Sequence, residues 1–141
     1  MRYEFKLKGE TVAKKNNKIV LQNHAVIPSK RYRDWHKSAM LQLLTQNKPD
    51  LPISYPVKLE VVFVHNNIKK RDCDNQLTSI MDLLKDAHIL ADDNWLIVNK
   101  VSITNLLNKT EYPFCVIYIE DCENHSLTIK AEHKNGTRRK F

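Results

Sequence analysis

The stretch VKLEVVFVHNNIKKRDCDNQLTSIMDLLKD, residues 57–86, changes character midway. Residues 57–65 are rich in β-branched and aromatic side chains and predict a well-buried strand. Leu77, Ile80, Met81 and Leu84 then recur at i, i+3, i+4 and i+7, which predicts an amphipathic helix over 75–87. Between strand and helix lies a polar run of three cations followed by Asp72, Cys73, Asp74 and Asn75.

Outward from this stretch, the apolar side chains Tyr3, Phe5 and Leu7 alternate with Arg2, Glu4, Lys6 and Lys8, which predicts a half-buried strand over 2–8. Residues 13–18 read as a polar loop and 19–27 as a short strand-like run. Ser29 after Pro28 is a plausible N-cap for a first helix. That helix carries Tyr32, Trp35, Ala39 and Leu43 on one face and ends near Asn47, before Pro49 and Pro52. Segments 95–104 and 113–121 predict two more strands. FCVIYI (114–119) is apolar on both faces and suits a central place in the sheet. The fold class is therefore α/β or α+β: a mixed sheet with two main helices in a single domain over 1–122. A basic segment follows over 123–141, where Lys130, Lys134, Arg138, Arg139 and Lys140 face one acid, Glu132.

At 141 residues, 42% hydrophobic and 28% charged, the chain has the composition of one globular domain rather than of a disordered segment. No apolar run is long enough to span a bilayer, and the opening residues lack the apolar stretch of a secretory signal, so a cytoplasmic protein without membrane partners is expected. Cys73, Cys115 and Cys122 are odd in number and irregularly spaced, which predicts free thiols. Lys and Arg outnumber Asp and Glu by 23 to 16, giving a net charge of +7 and a positive potential that attracts polyanions. The six histidines show no metal-binding spacing.

The acids carry the chemistry. Asp72 and Asp74 sit where the strand exit meets the helix; Asp92 and Asp93 sit where the helix returns to a strand. Carboxylates of this kind hold hard cations such as Mg²⁺, which can bridge a scissile phosphate and generate hydroxide. Equally, Asp is a favoured N-cap, and Asp-Asp-Asn is good turn chemistry. A helix of about 13 residues is roughly 20 Å long, and the six residues 88–93 span about that distance only when fully extended. Either the helix stops early, or the connection runs straight back along it, or a partner subunit brings its own acidic group.

Arg71, Asp72, Asp74, Asn75, Asp82, Asp92 and Asp93, in this order and spacing, resemble the RusA family of Holliday junction resolvases, which is common in prophages. The Lys14-Lys15-Asn16 loop and the Tyr32-Arg33-Asp34-Trp35 helix start are also similar to that family. The likeness covers most of 1–120. It implies a structure-selective endodeoxyribonuclease that uses metal-activated water on Holliday junctions or branched DNA in recombination and repair, acting as a homodimer. By resemblance, Asp72, Asp74 and Asp93 bind Mg²⁺, or Mn²⁺ in its place. Asn75 orients a neighbouring carboxylate or caps the helix, and Thr78, Asp82 and Asp92 are supporting rather than ligating positions. Lys14, Lys15, Arg31, Arg33, Lys69, Lys70 and Arg71 are the candidate DNA contacts.

One position departs from the family pattern. Four residues after the second aspartate the family places a lysine, and this chain has Thr78. Threonine can hydrogen-bond but carries no charge. Lys69 and Lys70 are placed to compensate, and Lys70 is counted with the three aspartates as catalytic. The alternative function is a noncatalytic junction-binding protein that lost cleavage with that lysine. A third is a basic interaction module whose acids only cap and turn.

Overall fold

The computed structural model describes residues 1–14 and 18–122. Lys15, Asn16 and the basic segment 123–141 lie outside the described residues. Six strands and two helices follow in the order β1 (Arg2–Lys8), β2 (Lys18–Val20), β3 (Val26–Pro28), α1 (Lys30–Leu44), β4 (Val57–His65), α2 (Cys73–Asp86), β5 (Val98–Leu107) and β6 (Phe114–Asp121). Four strands form one mixed sheet in the order β1-β6-β4-β5. β6 is antiparallel to both neighbours, β1 and β4, whereas β4 and β5 are parallel. The expected α+β domain, with 114–119 at its centre, is present.

Parallel neighbours need a crossover, and α2 supplies it between β4 and β5. Phe5, Leu7, Leu59, Val61, Phe63, Cys115, Ile117 and Ile119 point to one face of the sheet. They join Trp35, Ala39 and Leu43 of α1 and Ile80, Leu83 and Leu84 of α2 in a single core, so both helices cover the same face. The three cysteines are free. Burial pushes the Cys115 thiol up to about 12, which leaves it inert.

The two edges of the sheet are treated differently. Along β1, Gln42 and Gln46 of α1 reach across to the backbone. Gln42 Oε1 accepts from Lys8 N at 2.7 Å and its Nε2 donates to Lys8 O at 3.2 Å. Gln46 repeats the pattern on Lys6, at 2.9 and 2.8 Å. Two side chains spaced i, i+4 thus occupy the groups that a neighbouring strand would use.

Three local expectations are corrected. Residues 19–27 are a hairpin, not one strand: Asn23 Oδ1 accepts from Ala25 N, and His24 takes a φ of +66°, turning the chain between β2 and β3. The strand expected from residue 95 begins at Val98, because Asn94 first closes a turn onto Leu96, Ile97 and Val98. Trp95 is left outside the strand, 65% exposed.

The third concerns α2, whose fully buried positions are Gln76, Ser79, Ile80, Leu83 and Leu84. Leu77 and Met81 only lean on the core. Two polar side chains displace them because the segment after β1 has backbone groups to satisfy. Gln76 Nε2 donates to Thr11 O at 3.0 Å, and Ser79 Oγ donates to Val12 O at 2.7 Å while accepting from Lys14 N at 3.1 Å. Ser79→Ala strands those two backbone groups, and the expected loss is about 1–3 kcal/mol of unfolding free energy, read from urea denaturation.

Candidate functional site

The loop that carries the cations is held in shape by an internal network. Asn67 Oδ1 accepts from Lys69 N at 3.0 Å and from Arg71 Nη2 at 2.9 Å, and Arg71 Nη1 donates to Lys69 O at 2.8 Å. Arg71 Nε pairs with Glu10 Oε1 at 2.8 Å, and His65 Nδ1 meets the same oxygen at 2.7 Å. His65 Nε2 lies 2.9 Å from Asn105 Oδ1. These side chains are largely buried (Arg71 17%, Glu10 16% and His65 13% exposed), so screening by solvent is weak and the pairing is firm. Arg71, read in the sequence as a DNA contact, has all three guanidinium nitrogens engaged within the chain. It sets the shape of the loop. Glu10, His65 and Asn105 had no motif to mark them; three lone residues from three segments meet only in space.

Lys69 and Lys70 stand exposed on this loop. With Arg31 from α1, Arg71, Asp72, Gln76 and the 11–13 backbone they line a cleft of about 340 Å³. Four basic residues and Asp72 therefore line one groove. Lys14 and Arg33 belong elsewhere: with Tyr32, His36 and Asp86 they line a second cleft of about 220 Å³. There Lys14 Nζ lies 3.8 Å from Asp82 and 5.7 Å from the Tyr32 ring centre, while His36 Nε2 meets Asp86 at 2.8 Å. Asp82 thus supports the packing of the 11–14 segment on α2.

Asp72 occupies the N-cap position of α2 with extended backbone, yet its side chain makes no capping hydrogen bond. Ser29 of α1 does cap: its Oγ accepts from Tyr32 N at 3.2 Å. Among the described residues the Asp72 carboxylate accepts one long bond, 3.3 Å, from Asn75 Nδ2, and so Asn75 orients it. Asp74 follows in the first turn, exposed, where the helix dipole favours negative charge. Thr78 Oγ1 donates back to Asp74 O at 2.9 Å, which turns the hydroxyl into the helix.

The second acidic pair lies at the opposite end of α2. Asp93 Oδ1 is 3.9 Å from Lys85 Nζ in the last turn. About 16 Å of helix rise separates Lys85 from Asp74. The helix does not stop early, and the connection does not carry Asp93 back along it. Among the described residues no three His, Cys, Asp or Glu side chains are grouped to hold a metal ion. Asp92 is a turn residue: its oxygens accept from Asp93 N at 2.7 Å and Asn94 Nδ2 at 3.2 Å, and these bonds, the backbone one foremost, hold its carboxyl below the usual range.

The donor set at the start of α2 fits a hard divalent cation. Asp72 and Asp74 offer exposed carboxylate oxygens, and such cations take one or two of these plus water and substrate phosphate.

The endodeoxyribonuclease RusA family profile matches residues 8–120. The chain belongs to the RusA endodeoxyribonuclease family. Among known proteins, a crossover junction endodeoxyribonuclease RusA of Aquifex aeolicus (strain VF5) is similar to it, 31% identical over 83 residues that cover 59% of this chain. The aligned part spans 65% of that relative's length. In this RusA-family chain the matched segment contains the cationic cleft, both acidic pairs and the Glu10–Arg71–His65 network. No helix among the described residues is long and apolar enough to cross a membrane.

Proposed function

We propose that this RusA-family chain is a structure-selective endodeoxyribonuclease that hydrolyses phosphodiester bonds at Holliday junctions or branched DNA, as a homodimer and with Mg²⁺ or Mn²⁺. One observation carries the reading: Arg31, Lys69, Lys70 and Arg71 line one groove together with Asp72, an N-cap aspartate whose carboxylate makes no capping hydrogen bond. A phosphodiester backbone needs cations along its path and an acidic, metal-holding position at the reacting phosphate. Both needs are met here by adjacent residues.

In this reading Asp72 and Asp74 hold the cation. Asp93 joins them only from the other protomer of the homodimer, because within one chain it lies at the far end of α2. When bound, the cation supplies Lewis acidity toward the phosphate and an acidified water. Asn75 keeps Asp72 turned to the groove. Lys69 and Lys70 hold the strand backbone, with Lys70 nearest in sequence to the acids and best placed to offset charge on the phosphate. Arg71, clamped by Glu10, keeps both lysines on the groove. Lys15 and the basic segment 123–141 add nonspecific affinity that salt removes.

A second reading, a junction-binding protein without cleavage, draws on Thr78, whose hydroxyl is committed to the Asp74 carbonyl and offers no charge. Incubation with a synthetic four-way junction, with Mg²⁺ and with Mn²⁺, separates the two. Paired incision supports the nuclease; tight binding without incision in either metal supports the second. Lys70→Gln is expected to weaken junction binding across sequences and lower the salt slope by about one.

A further inference from the structure

We propose that the hairpin of β2 and β3 is a wedge that enters the stacked bases at the branch point of its DNA, with Val20, Leu21 and Val26 as the inserting side chains. The inference takes branched DNA as the substrate from the reading above and rests on the fold for everything else.

The hairpin contributes nothing to the core. β2 and β3 pair with each other as a two-stranded sheet apart from the main one, and none of the residues 19–28 belongs to the core cluster. A lone hairpin is marginal in water, and polar side chains are what its solvated faces call for. Instead the run over 18–28 reads KIVLQNHAVIP. Val20 and Val26 stand opposite each other in the register and so share a face, 67% and 57% exposed. Leu21 follows where the strand enters the turn, also exposed. Leu21 N donates to Ala25 O at 2.8 Å and His24 N to Leu21 O at 2.9 Å, which fixes the tip that carries these side chains.

The base of the hairpin stands on the cationic groove. Thr11, Val12 and Ala13, ahead of β2, and Arg31, three residues after β3, line that groove with Lys69 and Lys70. A DNA strand held along those cations therefore passes the foot of the hairpin. Three strand residues advance about 10 Å, more than the roughly 8.5 Å depth of the major groove, so the tip reaches from a held backbone to the base stack.

Charge identifies the occupant. From Thr11 to Arg33 the sequence carries six cations, Lys14, Lys15, Lys18, Lys30, Arg31 and Arg33, and no carboxylate. Two of them meet acids from outside this stretch, Lys14 at Asp82 and Lys30 at Asp34, and the surplus stays positive. An apolar tip on a segment of one sign complements a ligand with a polyanionic exterior and an apolar interior, which is stacked DNA. A second copy of this chain, itself at +7, offers no such complement. Apolar side chains pushed between base steps unstack them and kink the duplex, at a cost that is lowest where pairing is already disturbed. A branch point is such a place. The wedge thus selects junctions over plain duplex by deformability, without reading bases.

A four-way junction with 2-aminopurine beside the branch point tests this, without divalent metal and with binding followed by anisotropy in the same samples. The probe brightens when it unstacks. Saturating wild type is expected to raise its emission severalfold. Val20→Ser/Leu21→Ser/Val26→Ser, which alters exposed side chains only, is expected to lose most of that rise at equal occupancy. In single-turnover incision with Mg²⁺ the variant is expected to be about tenfold slower on the intact junction. On a junction built with unpaired nucleotides at the branch point it is expected to stay within about twofold of wild type, because the unstacking is already made. No rise with wild type at saturation, no binding of branched DNA, or an equal loss on both substrates overturns the proposal. Weaker self-association of the variant in sedimentation velocity, with emission and incision unchanged, makes the hairpin a contact between copies and likewise overturns it. Should the triple variant misfold by far-ultraviolet circular dichroism, Leu21→Ser alone is read in its place. If the wild type unstacks the junction and cuts none, the nuclease reading fails and the wedge stands; incision without unstacking keeps the nuclease and removes the wedge.

Discussion

Asp74→Asn is expected to lower incision of a four-way junction by about 10³-fold or more while junction affinity stays the same or rises. The substitution is nearly isosteric, and Asp74 is exposed in the first turn of α2, so no packing is lost. Asparagine is tolerated at a helix start, and the cap position itself is Asp72. The change therefore removes a negative charge and little else. If the carboxylate serves only the helix dipole, the variant loses a few tenths of a kcal/mol of stability and cuts normally. Single-turnover cleavage and a binding titration under the same salt read the two effects separately. Normal cleavage by the variant sinks the proposed metal site.

Thr78→Lys is the opposite experiment, a gain. Position 78 lies one turn beyond Asp74 on the same helical face. Threonine there bonds backward to the Asp74 carbonyl at 2.9 Å. In the proposed site a lysine in its place would project a cation toward the phosphate bound beside Asp74, and a single well-placed donor of this kind contributes up to about 10²-fold in rate. The expected result is a rise in the single-turnover rate approaching that factor, with a smaller effect on binding. Thr78 is half-buried, so the structural cost is limited to one hydrogen bond. If Lys70 already supplies this charge, the gain shrinks, and it returns in full in the Lys70→Gln background. No gain in either background removes any electrostatic role for position 78.

The sequence announced the strand at Val57–His65 and the cap at Ser29 because each depends on neighbours a few residues away. What it concealed depends on segments far apart. The buried face of α2 is shifted toward Gln76 and Ser79 by backbone groups more than sixty residues distant. Periodicity of apolar residues has no way to register a polar side chain that is buried for its hydrogen bonds. The hairpin at 18–28 was hidden by its apolar flanks, although Asn23 and His24 carry the turn.

For the site, order and residue type were legible, and spatial grouping was not. The run around Asp72 and Asp74 lies on one loop and helix start, so nearness in sequence meant nearness in space. Asp93 is separated by the length of α2, and only the direction of the following turn, set by Asp92 and Asn94, fixes where it stands. The candidate DNA contacts divided for a similar reason. Arg31 and Arg33, two residues apart on α1, look into different clefts.

The glutamine clamp on β1 has a consequence for how many chains can associate. A sheet with both borders available could add subunit after subunit and grow into a fibre. Here Gln42 and Gln46 close one border from within, so strand addition at β1 is blocked. The proposed homodimer therefore cannot extend itself by strand addition along β1.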